Sequence, residues 1–222
     1  MLWLGRGKKH HSAILRFVRM KVKKSIAAGA LIGLGCAANL HCTSKAAGAA
    51  LFAVGLILIC LLDLDLFTGK IGYVRNIRPK TNLIKIWLGN LAGIIAATGL
   101  VRLGRPEIHT ASVALVAKKF DLPLWRASIL ACLCGMVMYL AVEAYRRHKN
   151  SMAGVVAVWL CVITFVMCGF EHSIANMGYC VLAANTASDL GRAARLILTT
   201  TTWNGIGAIA IDFLIGRRDA KT

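Results

Sequence analysis

Residues 161–180 read CVITFVMCGFEHSIANMGYC, an apolar run interrupted in its middle by Glu171, His172, Ser173 and Asn176. Ionisable groups inside a membrane helix are expensive, so they mark function. An irregular backbone at membrane depth is tolerated only where it lines a cavity or is buried in protein. The stretch therefore predicts a broken membrane helix whose break forms part of a pathway.

The rest of the chain fits that reading. Of 222 residues, 58% are hydrophobic and 16% charged, and the mean hydropathy is +0.66. This is the composition of a polytopic membrane protein. Six apolar segments can be marked, at about 25–41, 47–67, 84–101, 124–144, 153–170 (continuing to about 184) and 194–216. A helix needs ~20 residues to cross ~30 Å of hydrocarbon. The expected organisation is a basic cytoplasmic N-terminal segment at 1–24, a six-span domain at 25–216 and a cytoplasmic tail at 217–222. The first 24 residues lack the long apolar core of a signal peptide.

The formal charge of +18 sits in the gaps between apolar segments. With both termini inside, stretches 1–24, 68–86, 145–152 and 217–222 hold 19 of the 27 Lys and Arg residues, as the positive-inside rule requires. That places a multi-pass protein in the cell membrane, its basic loops against lipid headgroups rather than nucleic acid. The stretch 102–123 is expected as an outer loop. It carries Arg102, Arg105, Lys118 and Lys119 against the rule, which points to a functional use.

The eight cysteines show neither zinc-type spacing nor a disulfide framework. No nucleophile–base pair suggests an enzyme. No cofactor and no metal are expected.

The halves of the chain echo each other. LLDLDLFTGK (61–70) interrupts the second segment as GFEHSIAN interrupts the fifth, and Asn90 with Gly89 and Gly93 in the third answers Asn204 with Gly205 and Gly207 in the sixth. Three spans per half would place the second half upside down, and broken helices at matching positions point to the substrate path.

GFEHSIANM (169–177), DLFTG (65–69), WLGNLAG (87–93), FAVGLIL (52–58) and KKFDLPLW (118–125) resemble the formate/nitrite transporter family. The resemblance implies an all-α, aquaporin-like inverted repeat of six transmembrane helices, two of them broken. It further implies a homopentamer with one pore per protomer, moving small monovalent anions (formate, nitrite, hydrosulfide or similar) with coupling to protons. By position, His172 would be the pore-centre histidine and Thr68 its partner on the other broken helix. Asn90 and Asn204 would stand behind the site, with Glu171 and Asn176 beside the histidine. Phe52, Leu56, Leu66, Phe67 and Phe165 match the apolar constrictions, and Lys119 the vestibule cation. Gly135 stands where the family's fourth span usually has Asn, so one polar partner is expected to be absent. Gly69-Lys70 replaces the Thr-Ser of many formate-type members. An aquaporin-like channel for neutral solutes is the alternative, but it predicts Asn-Pro-Ala at the breaks, and the three prolines lie at 79, 106 and 123.

Overall fold

The computed structural model describes residues 4–74, 82–149, 151–184 and 188–216, with side chains described from Val22 onward, Ser188 excepted. The tail at 217–222 and part of the basic loop at 68–86 lie outside the described residues. Among these residues the chain is helical throughout, without strands. In order come α1 (Leu4–His41), α2 (Lys45–Leu61), α3 (Phe67–Ile71), α4 (Leu83–Gly104), α5 (Ile108–Phe120), α6 (Leu124–Arg147), α7 (Met152–Met167), α8 (Ser173–Ala183) and α9 (Ser188–Ile215). By length and composition, α4 and α6 are able to cross a membrane unaided. Large apolar side chains such as Leu100, Leu103, Phe213 and Leu214 stand more than two-thirds exposed, a surface suited to lipid or to another apolar face.

α1 runs from Leu4 through the first apolar stretch without a break, so the basic stretch and the first apolar segment share one helix. One expectation is corrected. The stretch 102–123 is not a loop, because α5 occupies its centre. Thirteen residues are too few for a span, but Ile108, Ser112 and Val116 recur at helical spacing and form its buried face, which packs on α8.

Both breaks are built alike. α2 and α7 each end in a residue of the left-handed region, Asp63 at φ +48° and Gly169 at φ +68°. Leu64 N–H then donates to Ile59 O and Phe170 N–H to Phe165 O, each at 2.9 Å. This is the Schellman stop, which satisfies helix-end carbonyls. The chain runs extended to Leu66 and His172, the N-cap positions of α3 and α8.

Each break is held by one asparagine. Asn90 Oδ1 accepts from Phe67 N–H (2.9 Å), and its Nδ2 donates to Ser25 O (2.8 Å) and Asp65 O (2.9 Å). Asn204 Oδ1 accepts from Ser173 N–H (2.8 Å), and its Nδ2 donates to Ala131 O (2.7 Å) and Glu171 O (2.9 Å). Ser25 and Ala131, Asp65 and Glu171, and Phe67 and Ser173 stand the same distance apart along the chain. Both asparagines are fully buried, so each satisfies two backbone groups that the break would otherwise strand and ties the break to a carbonyl of a neighbouring helix, α1 or α6.

Glycines set the helix spacing behind these asparagines. A Cβ on Gly29 would overlap the Asn90 carbonyl, and one on Gly135 the Asn204 carbonyl. Likewise Gly93 lies against Ile26 O and Gly207 against Cys132 O. Gly135 is therefore the counterpart of Gly29, and its lack of a side chain is what α6 and α9 need to touch. Gly135→Ala is expected to lower stability by about 1–3 kcal/mol through overpacking, measured as a lower thermal midpoint of the detergent-purified protein. An unchanged midpoint would show that α6 and α9 can spread without cost.

Candidate functional site

The site lies where the two breaks meet. His172 caps α8: its Nδ1 accepts the Ala175 N–H at 3.0 Å. That bond leaves Nδ1 without a proton, so in the neutral ring the proton is on Nε2. Nε2 lies 2.9 Å from Thr68 Oγ1 and donates to it. Both side chains are buried, at 2% exposure each. A second proton on the ring would have to sit on Nδ1 and would break the cap.

An aromatic stack leads away from the histidine. Phe165 lies against the imidazole with centroids 5.5 Å apart and planes 24° apart. Phe52 meets Phe165 edge-on at 5.6 Å. Leu56 and Leu66 are 1% exposed. Phe67 is buried but borders neither cavity described next; its backbone N–H, bound to Asn90, is what touches the break.

Two cavities approach this plug. One, of about 400 Å³, reaches His172 and Phe165 and is lined also by Lys45, Lys119, Asn176 and Tyr179. The other, of about 410 Å³, reaches Leu56 and Leu66 and is lined also by Lys70, Tyr73, Arg146 and Lys149. His172 and Thr68 stand between them, walled by apolar side chains.

Lys119 is brought to the site by α5, but not as an unpaired charge. Its Nζ donates to both Glu171 oxygens, at 2.8 and 2.7 Å, and the pair is buried at 13% and 5% side-chain exposure. Asn176 Nδ2 donates to Glu171 Oε2 at 2.8 Å. Glu171 is thus held on three sides: by Lys119, by Asn176 and, through its carbonyl, by Asn204. Asn176 Oδ1 and Ser173 Oγ are buried without a hydrogen-bond partner among the described residues. Both flank the histidine on the first turn of α8.

Some residues were not legible beforehand. Lys45 Nζ donates to Met167 O at 2.9 Å, closing the end of α7, and lines the cavity without a carboxylate partner among the described residues. Asn39 Nδ2 donates to Tyr179 OH at 2.8 Å in the cavity wall. Asp212, a carboxylate within the last apolar segment, is buried and accepts from the Tyr139 hydroxyl. The Tyr139 ring lies over Gly72, at the end of the short helix that bears Thr68. Lys45 opens an apolar helix and Asp212 lies inside one, and neither adjoins a residue of opposite charge in the sequence.

The family model described as "Formate/nitrite transporter" matches residues 7–215. The chain belongs to the formate/nitrite transporter family, a family of membrane transporters and channels. Among curated relatives, the nitrite transporter NirC of Escherichia coli (strain K12) is 29% identical over 58% of this chain and 52% of its own length. The uncharacterized transporter YwcJ of Bacillus subtilis (strain 168) is 30% identical over 70% of each chain. The formate channel FocA of Haemophilus influenzae is 26% identical over 73% of this chain and 59% of its own. The chain thus spans about half the length of the first of these relatives. Two solved structures share the fold. One is an FNT family ion channel, with TM-score 0.72 and 24% identity over 85% of each chain. The other is a pentameric formate channel with formate bound, with TM-score 0.73 and 20% identity over 90% of this chain and 96% of that one.

Proposed function

We propose that the chain conducts small monovalent anions of weak acids, such as formate or nitrite, through a pore in each protomer of a homopentamer. The architecture in this reading is six spans in an aquaporin-like inverted repeat, with both termini cytoplasmic. The matched Schellman stops, asparagine clamps and glycine contacts of the two halves support the repeat. The observation that carries the function is the buried His172–Thr68 pair between two cavities with cationic linings.

The chemistry follows from the barrier. Desolvating a bare anion at Phe52, Phe165, Leu56 and Leu66 costs several kcal/mol. A weak acid evades that cost by taking up a proton as it loses water, because low dielectric raises its pKa. Positive potential from Lys45 draws the anion into the outer cavity, while Lys119 holds Glu171 so that no bare carboxylate faces the path. The α8 N-terminus adds a fixed positive end at the middle. The Nε2–H of His172 is the donor an anion meets there, in exchange for Thr68. Asn176 Oδ1 and Ser173 Oγ offer an acceptor and a hydroxyl to a passing acid or water. The species re-ionises beyond Leu66.

The test is flux of formate, nitrite and hydrosulfide into proteoliposomes at two pH values. His172→Ala is expected to cut the rate tenfold or more, since one lost donor at about 1.4 kcal/mol is a factor of ten. Thr68→Val should cut it less and alter the pH dependence. Unchanged flux and pH dependence in both variants would put the pathway elsewhere.

A further inference from the structure

α3 is the shortest helix among the described residues. It spans five residues, Phe67–Ile71, and carries Thr68 in its first turn, whereas α8 has eleven and is capped by the His172 side chain. A single helical turn does not hold itself, because nucleation fixes several residues for one hydrogen bond. Asn90 ties down its start through the Phe67 N–H, while Leu66 at the N-cap offers no side-chain bond. Whatever holds the far end of α3 therefore sets where Thr68 stands.

That end is wedged between α6 and α9. Gly72 follows Ile71 and lies against the Tyr139 ring of α6 and Ala208 of α9; a Cβ on Gly72 would come within 2.3 Å of a Tyr139 ring carbon. The Tyr139 hydroxyl donates to Asp212 Oδ1 on α9, and both residues are buried. Tyr73, next in the chain, sets its ring 5.1 Å from that of Tyr139 and donates its hydroxyl to Glu143 Oε2 at 2.7 Å. Glu143 stands one helical turn beyond Tyr139 on α6 and is held in turn by Arg147.

The first half of the chain closes without such a pair. Tyr139 stands where Gly33 stands, by the spacing that relates Gly135 to Gly29. Asp212 stands where Thr98 stands, by the spacing that relates Asn204 to Asn90. At that place α1 and α4 only touch: a Cβ on Gly33 would lie 3.2 Å from the Thr98 methyl, and the Thr98 hydroxyl donates to Ile94 O on its own helix. A carboxylate within an apolar segment is costly, and the helix packing does not require one there. The difference between the halves lies in what each helix pair supports, eleven residues of α8 or five of α3.

We infer that Tyr139 and Asp212 are positioning residues for the pore-centre pair: Tyr139 presses the end of α3 into place, Asp212 keeps its ring on Gly72, and Thr68 is thereby held against His172 Nε2. Neither side chain borders the two cavities, so both act through α3 and not on the anion. The inference rests on the proposed function, in which the His172–Thr68 pair serves conduction.

The experiment is initial-rate flux of formate and nitrite in proteoliposomes over a pH series, with the thermal midpoint of each purified variant. Tyr139→Phe keeps the ring and loses only the hydroxyl. It is expected to lower the maximal rate about three- to tenfold (about 0.7–1.4 kcal/mol), within the net worth of one hydrogen bond. The pH dependence should shift in the same direction as in Thr68→Val. Half-saturation should change less than about twofold, because the cavity linings are untouched. Added to Thr68→Val, Tyr139→Phe should lower the rate less than about 1.5-fold further, since residues that act through one another are not additive. Asp212→Asn keeps an acceptor and should stay within about twofold of wild type, whereas Asp212→Leu should match Tyr139→Phe. Effects of Tyr139→Phe and Thr68→Val that multiply in full would overturn the inference and leave the His172–Thr68 pathway standing. So would an unchanged rate and pH profile in Tyr139→Phe, whatever its midpoint. A wild type that conducts neither anion would remove the transport reading, and this inference with it.

Discussion

Lys119→Met is expected to be among the most damaging single substitutions outside the histidine itself. It leaves Glu171 as a buried carboxylate with Asn176 as its remaining side-chain donor. Breaking a buried ion pair by removing one partner costs about 3–5 kcal/mol, because the surviving charge stays unpaired. The effect on conduction has a second source. Glu171 precedes His172 directly, so under the proposed function an uncompensated negative charge would stand beside the histidine that an anion passes. Flux should fall by more than tenfold, the consequence of any added barrier above about 1.4 kcal/mol. Lys119→Met combined with Glu171→Gln should recover much of both, since the double variant buries no charge. Thermal midpoint and flux of the two variants decide the matter. Should the single and double variants behave alike, then Lys119 acts by its own field in the vestibule and not by neutralising Glu171.

The polar breaks were legible because chemistry and hydropathy clash there. Glu171-His172 inside an apolar run, and Asp65 to Thr68 inside another, leave few readings open. The asparagines were legible as types but not as clamps, because each binds backbone groups on two other elements. The pairing of Lys119 with Glu171 was hidden for the same reason: α5 has to be a helix before Lys119 can reach the break. Hydropathy alone passes over a 13-residue helix in a stretch with four basic residues. Gly135 looked like a missing polar partner because a residue type was weighed without its neighbour. The Asn204 carbonyl beside it leaves room for no side chain. Phe67 was read for its ring, and its N–H in addition binds Asn90 at the break. Side-chain identity predicts surface chemistry well, and it says little about positions where the backbone is the functional group.

Asn204→Leu should cost more than any apolar substitution of similar size in the helix cores. The change removes one acceptor and two donor hydrogens, stranding Ser173 N–H and Glu171 O and cutting the tie to Ala131 O, which the α6 ladder still engages. Each buried backbone group left without a partner costs about 1–3 kcal/mol, so the total is several kcal/mol, of the order of a whole domain's stability. Asn90→Leu strands Phe67 N–H and Asp65 O in the same manner and cuts the tie to Ser25 O on α1. Stability alone should not distinguish the two. Function should, because α8 carries His172 and the ion pair at its N-terminus, whereas α3 carries Thr68 and Lys70. Under conditions where both variants stay folded, Asn204→Leu should lose flux at every pH, its histidine no longer set against Thr68. Asn90→Leu should keep a residual rate, because His172 keeps its own clamp. Asn204→Asp keeps the acceptor for Ser173 N–H but turns a carboxylate oxygen towards the Ala131 and Glu171 carbonyls, and is expected to be at least as damaging as Leu. If Asn204→Leu unfolds no more readily than Met138→Ala in the core of α6, then water replaces the clamp and the break is wetter than its burial suggests.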